Sequence, residues 1–170
     1  MKPRVYFIIL LLIIPVQASL LNPLSFAGIK PDLALAVLYI IGLLTSPEEA
    51  ALAGIGIGLV QDISSASLIG LNGFTRGLIG LCAGLLGRRV LDISSPSNLI
   101  FLTIFSLAEG LFIMLFIQAF YGSVPVINMF FTSMLPHALY TGVLGIFLLR
   151  VINSRSALNM LKRHALQKEL

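Results

Sequence analysis

Two ionisable side chains stand where neither is tolerated without a partner. Glu109 and His137 each lie within a long apolar run, about twelve residues from the short Gly122–Pro125 connection between the runs. Ionisable groups in such surroundings are costly, and by default are candidates for function. If the two runs form an antiparallel helical hairpin, both side chains reach the same depth, where a Glu–His hydrogen bond would satisfy both. Such a pair either locks the hairpin or takes part in proton-linked or ligand-binding chemistry. Pro136, beside His137, frees a backbone carbonyl that can join it. A second polar group comprises Gln61-Asp62, Ser64, Ser65, Ser67 and Arg76. Asp62 and Arg76 are close enough in sequence to pair across a turn, and Asn72-Gly73 suits that turn or a cap. Asp62, Arg76, Glu109 and His137 are therefore the candidate buried polar or pocket residues, with structural and binding roles both open.

Other chemistry finds little to work with. His137 and His164 are the only histidines and Cys82 is the only cysteine, so no disulfide framework or thiolate metal cluster can be built within one chain. Cys82 lies in an apolar stretch and reads as a small buried hydrophobe. Intramembrane proteolysis or lipid-phosphate chemistry needs a nucleophile and base, paired aspartates or a metal cluster at one depth. Asp62 and Asp92 fall on opposite sides of the membrane in the topology below, and His164 belongs to the tail. The chain is therefore expected to be non-enzymatic, with no cofactor and no metal.

The elements that must position these residues follow from composition. Of 170 residues 58% are apolar and only 11% charged, far too little charge for the surface of a soluble domain of this size. Six apolar stretches emerge: Val5–Leu21, Pro31–Thr45, Glu49–Val60, Gly73–Gly87, Asn98–Tyr121 and Val126–Leu149. The expected fold is an all-α polytopic membrane protein with six transmembrane helices over 1–150 and a basic tail over 151–170. Stretches two to four are short for a crossing, which asks for about 20 residues; they can tilt or continue into polar flanks shielded by protein. Lys30-Pro31-Asp32 supplies helix-start chemistry for the second, with proline in the first turn and an acid near the positive end of the dipole. In the first, Met1–Arg4 and Val16-Gln17-Ala18 resemble parts of a signal peptide. The apolar run is long for that, and retention is expected.

Charge sets the orientation. An N-terminus inside places Lys2, Arg4, Arg88, Arg89, Arg150, Arg155, Lys162, Arg163 and Lys168 in the cytoplasm, leaving only Lys30 and Arg76 on or near the outer side. Both ends are thus expected to be cytoplasmic. The tail carries Leu158, Leu161, Ala165 and Leu166 at helical spacing opposite its cations and can lie on membrane lipid. The same inside bias accounts for the net charge of +4, so nucleic acid is not expected as a partner. Small residues describe helix packing: Gly73, Gly77, Gly80, Gly84 and Gly87 line one face of the fourth span. Ala50, Gly54 and Gly58 do so on the third, and Ala138, Gly142 and Gly145 on the sixth. These seams are either internal packing or a docking face for another membrane protein, and leucine at Gly77 and Gly80 would block assembly through such a face.

Three segments occur in an order and spacing that resembles the MreD family of bacterial rod-shape proteins: Gly28-Ile29-Lys30-Pro31-Asp32-Leu33, Gly54-Ile55-Gly56-Ile57-Gly58-Leu59-Val60-Gln61-Asp62, and Ser67-Leu68-Ile69-Gly70-Leu71. The likeness is strongest over 28–89. It implies an inner-membrane scaffold of the elongation machinery that guides lateral peptidoglycan synthesis. MreC would be the chief partner, with RodA and its transpeptidase and the actin-like MreB bound directly or indirectly. It also implies a six-helix fold similar to the substrate-binding subunits of energy-coupling-factor transporters, and no catalytic residues. On this reading the glycine seams and outer loops contact MreC or another partner. The alternative is a vitamin-capturing subunit or small proton-coupled carrier with a pocket of Arg76, Glu109 and His137. Against it, the only small residues of span one are Ala18 and Ser19 at its end, too few for docking an energising partner, and the chain shows no internal repeat.

Overall fold

The computed structural model describes residues 28–65, 68–89, 93, 95–122 and 126–153. The expected first span with its Val16-Gln17-Ala18, Ser67, Asp92, His164, the basic residues Lys2, Arg4, Arg155, Lys162, Arg163 and Lys168, and the tail from residue 154 lie outside them.

Every element among the described residues is helical, and the order follows the apolar stretches: α1 (Leu33–Leu44), α2 (Pro47–Ser65), α3 (Leu71–Arg89), α4 (Asn98–Tyr121), α5 (Val126–Met129), a π-helical turn (Phe130–Met134) and α6 (Leu135–Asn153). The core is α1. It is apolar on all sides, and eight of its 12 residues are buried, as expected for a helix without a polar face. One side meets α2 and α3, the other α4 and α6. Its buried Tyr39 donates to Asn98 Oδ1 at 2.9 Å and rests against Phe105 with ring centroids 5.9 Å apart.

Local chemistry moves the boundaries away from the apolar stretches. α1, from the second apolar stretch, begins at Leu33 with Asp32 as its N-cap, so Pro31 precedes the cap instead of lying in the first turn. In α2 the start moves out to Pro47, because Ser46 caps it through Glu49 N–H at 3.3 Å and proline suits the first helical position. The last helix is interrupted: Pro136 has no N–H to offer the Thr132 carbonyl, and Leu135 N–H reaches back five residues to the Phe130 carbonyl.

The glycine faces are occupied from within the molecule. A Cβ at Gly54, Gly58 or Gly80 would collide with the carbonyls of Arg76, Asn72 and Ala50 respectively, and one at Gly84 would sit 2.6 Å from Pro47 Cα. Cβ atoms at Gly73 and Gly77 would meet Leu59 Cδ2 at 3.2 Å and Ile55 Cγ1 at 2.8 Å. All six belong to the contact between α2 and α3, where the two backbones approach as small residues permit. Gly142 likewise faces Leu99 and Thr103 of α4, Gly145 faces Leu102 of α4 and Ala36 of α1, and Ala138 is buried. Cys82 corrects an expectation: it lies on the exposed face of α3, away from these glycines.

Among the described residues two helices are long and apolar enough to cross a membrane, Asn98–Phe120 and Ile127–Ile152. Less than a third of either window is buried in the molecule, unlike the core helix of a soluble protein. Outside these two helices, Leu52, Ile63, Ile69 and Phe74 are also more than half exposed.

Candidate functional site

Where α1 begins, one cation and two acids from three helices come together. Asp32 caps α1 by accepting Leu35 N–H on Oδ1 at 2.9 Å. Its other oxygen accepts from Arg76 Nη2, contributed by α3. Arg76 Nε donates to Glu109 Oε1 of α4 at 2.8 Å. Main-chain N–H of Asp32 donates to Thr141 Oγ1 of α6 at 2.9 Å, which ties in a fourth helix. Arg76 is 1% exposed, Asp32 and Glu109 7% each, and Thr141 is fully buried. Charges so placed persist only when paired and hydrogen-bonded. The guanidinium serves two carboxylates at once because its donors form a fixed planar fork. What this arrangement does chemically is hold four helices in one register.

The expected partnerships are therefore redrawn. Glu109 takes Arg76 instead of His137, since a permanent cation offsets a buried carboxylate better than a neutral imidazole does. Arg76 in turn does not pair with Asp62. Fully buried Asp62 accepts N–H groups from Gly70 at 2.8 Å, Asn72 at 3.3 Å and Gly73 at 3.3 Å, with Asn72 Nδ2 at 2.7 Å. It caps the start of α3 and fixes the turn in which Gly70 adopts φ +99°, a conformation that favours glycine.

His137 is partly buried on the first turn of α6 and lines a cavity of about 430 Å³, together with Gly28, Ile29 and Lys30, Ser106 and Gly110 of α4, and Ser133 and Met134 of the π turn. Sequence reasoning missed Asp32 and Thr141 as members of the site. The available signal for Asp32 was an acid directly before a helix with no polar face to present to water; Thr141 gave none. Among the described residues no three His, Cys, Asp or Glu side chains come together as a metal-ligand group. At the N-terminal end of α2, Glu48 is fully exposed and its carboxyl is held below the ordinary range, first by its own main-chain N–H and then by the Ser46 hydroxyl.

Residues 2–154 match the family model described as rod shape-determining protein MreD. No curated protein and no solved structure gives a match. The match takes in every residue of the buried ion triad, the Asp62 cap and the glycine contact between α2 and α3, and it covers most of the chain. The chain belongs to the MreD family of membrane proteins, which act in determining rod shape.

Proposed function

We propose that this chain is a non-enzymatic, multi-pass scaffold of the bacterial inner membrane that binds MreC and helps organise lateral peptidoglycan synthesis with RodA, its transpeptidase and MreB. The observation that carries this reading is the family match over 2–154. The triad supports it, because Arg76, Asp32 and Glu109 hold helices in register, which suits a rigid binding body. Six spans over 1–150, cytoplasmic ends and a basic tail from 151 belong to the same proposal. In its favour, α2 and α3 are each 19 residues long, about 28 Å at 1.5 Å per residue, close to the roughly 30 Å of bilayer hydrocarbon. Their outward faces are apolar, through Leu52, Ile55 and Ile63 on α2 and Phe74, Leu78 and Leu85 on α3. Because the glycine faces are filled internally, the partner surface is assigned to these outward faces and to the outer loops.

The cavity beside His137 favours one second reading, a ligand-capturing subunit with a fold similar to those of energy-coupling-factor transporters. Both readings are separated by purifying the tagged full chain from its native membrane in mild detergent and identifying what accompanies it by mass spectrometry. MreC and glycan-synthesis proteins are expected. Recovery of ATPase subunits with a stoichiometric vitamin, and no MreC, would overturn the scaffold reading.

A further inference from the structure

The start of α1 lies deep in the molecule. Its cap, Asp32, is joined through Arg76 to Glu109, the twelfth of the 24 residues of α4, and bonds directly to Thr141, the seventh residue of α6. The preceding residues 28–31 are therefore non-helical backbone lying beside the middle of two long apolar helices. Such backbone is tolerated at membrane depth where it is covered by protein or lines a polar cavity. Here it lines one. The open cavity of about 430 Å³ is bounded by Gly28–Lys30 on one side and by α4, the π turn and His137 on the other.

Three features of its wall point to a ligand. Ser106 is 4% exposed, its hydroxyl makes no hydrogen bond, and it faces the cavity. A buried hydroxyl left in that state carries a desolvation penalty that a bound acceptor would relieve. The π turn that presents Ser133 is a departure from α-helix of a kind that recurs at functional sites. Each polar side chain in the described lining can donate: the Lys30 ammonium, the Ser106 and Ser133 hydroxyls and the His137 ring. Among the described residues no carboxylate lines it, and the nearby Asp32 and Glu109 both accept from the single Arg76 guanidinium. The volume falls within the roughly 300–1,000 Å³ of small-molecule sites.

We infer that this cavity binds a phosphate-bearing group, with Ser106, Ser133 and His137 donating to its oxygens and Lys30 supplying positive charge. The inference holds whichever proteins the chain assembles with. Phosphate can arrive as a lipid headgroup, its acyl chains leaving through the open side, or as a free ion. The test uses the full chain, purified and delipidated in a zwitterionic detergent. It is titrated with short-chain phosphatidylglycerol, with inorganic phosphate and with the matching diacylglycerol, and followed by native mass spectrometry and thermal unfolding.

One saturable equivalent of phosphatidylglycerol alone identifies a lipid headgroup. Binding of inorganic phosphate in competition with it shows that the free ion suffices. Ser106→Ala is expected to melt no lower than wild type without ligand, because it removes an unsatisfied hydroxyl, yet to weaken binding about tenfold through a lost hydrogen bond to a charged group. Should that variant fail to fold, Lys30→Gln is expected to weaken binding in the same direction and decides the matter. Failure of both phosphate probes, equal binding of diacylglycerol, or unchanged affinity in a folded Ser106→Ala variant would overturn the proposal.

Discussion

Replacing Arg76 with methionine removes the cation and keeps most of the volume, leaving Asp32 and Glu109, each only 7% exposed, without their shared partner. Breaking a buried ion pair by deleting one member costs about 3–5 kcal/mol, and here two pairs break at once, so the upper end applies. At about 2–4 °C per kcal/mol for a chain of this size, a loss of about 5 kcal/mol lowers the unfolding midpoint by about 10–20 °C. Glu109→Gln is a milder change, because it leaves Arg76 with Asp32 as a neutral pair and costs about 1–2 kcal/mol. The informative variant is the triple Arg76→Met, Asp32→Asn, Glu109→Gln. Asparagine still caps α1, no buried charge is left, and neutral replacement of a whole buried ion set is often close to neutral in stability. Thermal unfolding of the purified full chain in one detergent measures all three. An Arg76→Met variant as stable as wild type, or a triple variant no more stable than Arg76→Met, would refute the reasoning.

Other perturbations test the remaining parts of the description. Gly80→Leu drives a side chain into the Ala50 carbonyl and is expected to separate α2 from α3, whereas Gly77→Leu meets the flexible Ile55 side chain and should cost less; protease sensitivity of the 47–89 hairpin reports both. Asp62→Ala strands the N–H groups of Gly70, Asn72 and Gly73 and should lower stability by about 3 kcal/mol, with Asp62→Asn recovering part of it in the same melting assay. Because the folded Glu48 carboxyl lies below its ordinary value of 4.5, its contribution is present above that value and is lost as pH falls through the lowered one. Melting curves of wild type and Glu48→Gln should therefore converge on acidification. In a Cys82→Ser background, a cysteine at exposed Ser64 should react with an impermeant reagent in intact cells and one at exposed Glu48 only after permeabilisation; the reverse pattern would invert the proposed topology.

Helix existence was legible from apolar runs because each described helix contains one, but the ends were set by chemistry that hydropathy does not register. Ser46-Pro47-Glu48-Glu49 is a cap-and-proline start, and it lengthens α2 beyond its apolar stretch. Glu109 and Arg76 were recognisable as buried polar groups from their surroundings. Their pairing was not, because nearness in sequence favoured Asp62 for Arg76, and equal depth in a hairpin favoured His137 for Glu109. The actual arrangement depends on α1 lying between the two helix pairs, a tertiary fact that brings Asp32 within reach of both. The glycine periodicity marked a small-residue face but could not say what stands against it; in the structure α2 does, with backbone carbonyls standing where Cβ atoms would be.

The contact between α2 and α3 bears on how such a chain enters a bilayer during synthesis. Neither helix is apolar enough to be taken for a span by length and composition, and between them they carry Asp62 and Arg76. In the proposed topology a translocation channel releasing them singly would expose an acid, an arginine and a glycine-lined backbone face to lipid. Released as a closed hairpin, they cover those faces with each other, while Arg76 still awaits Glu109, which is synthesised later. Insertion of the middle of this protein is thereby coupled to its folding, and α4 is the element whose arrival completes both.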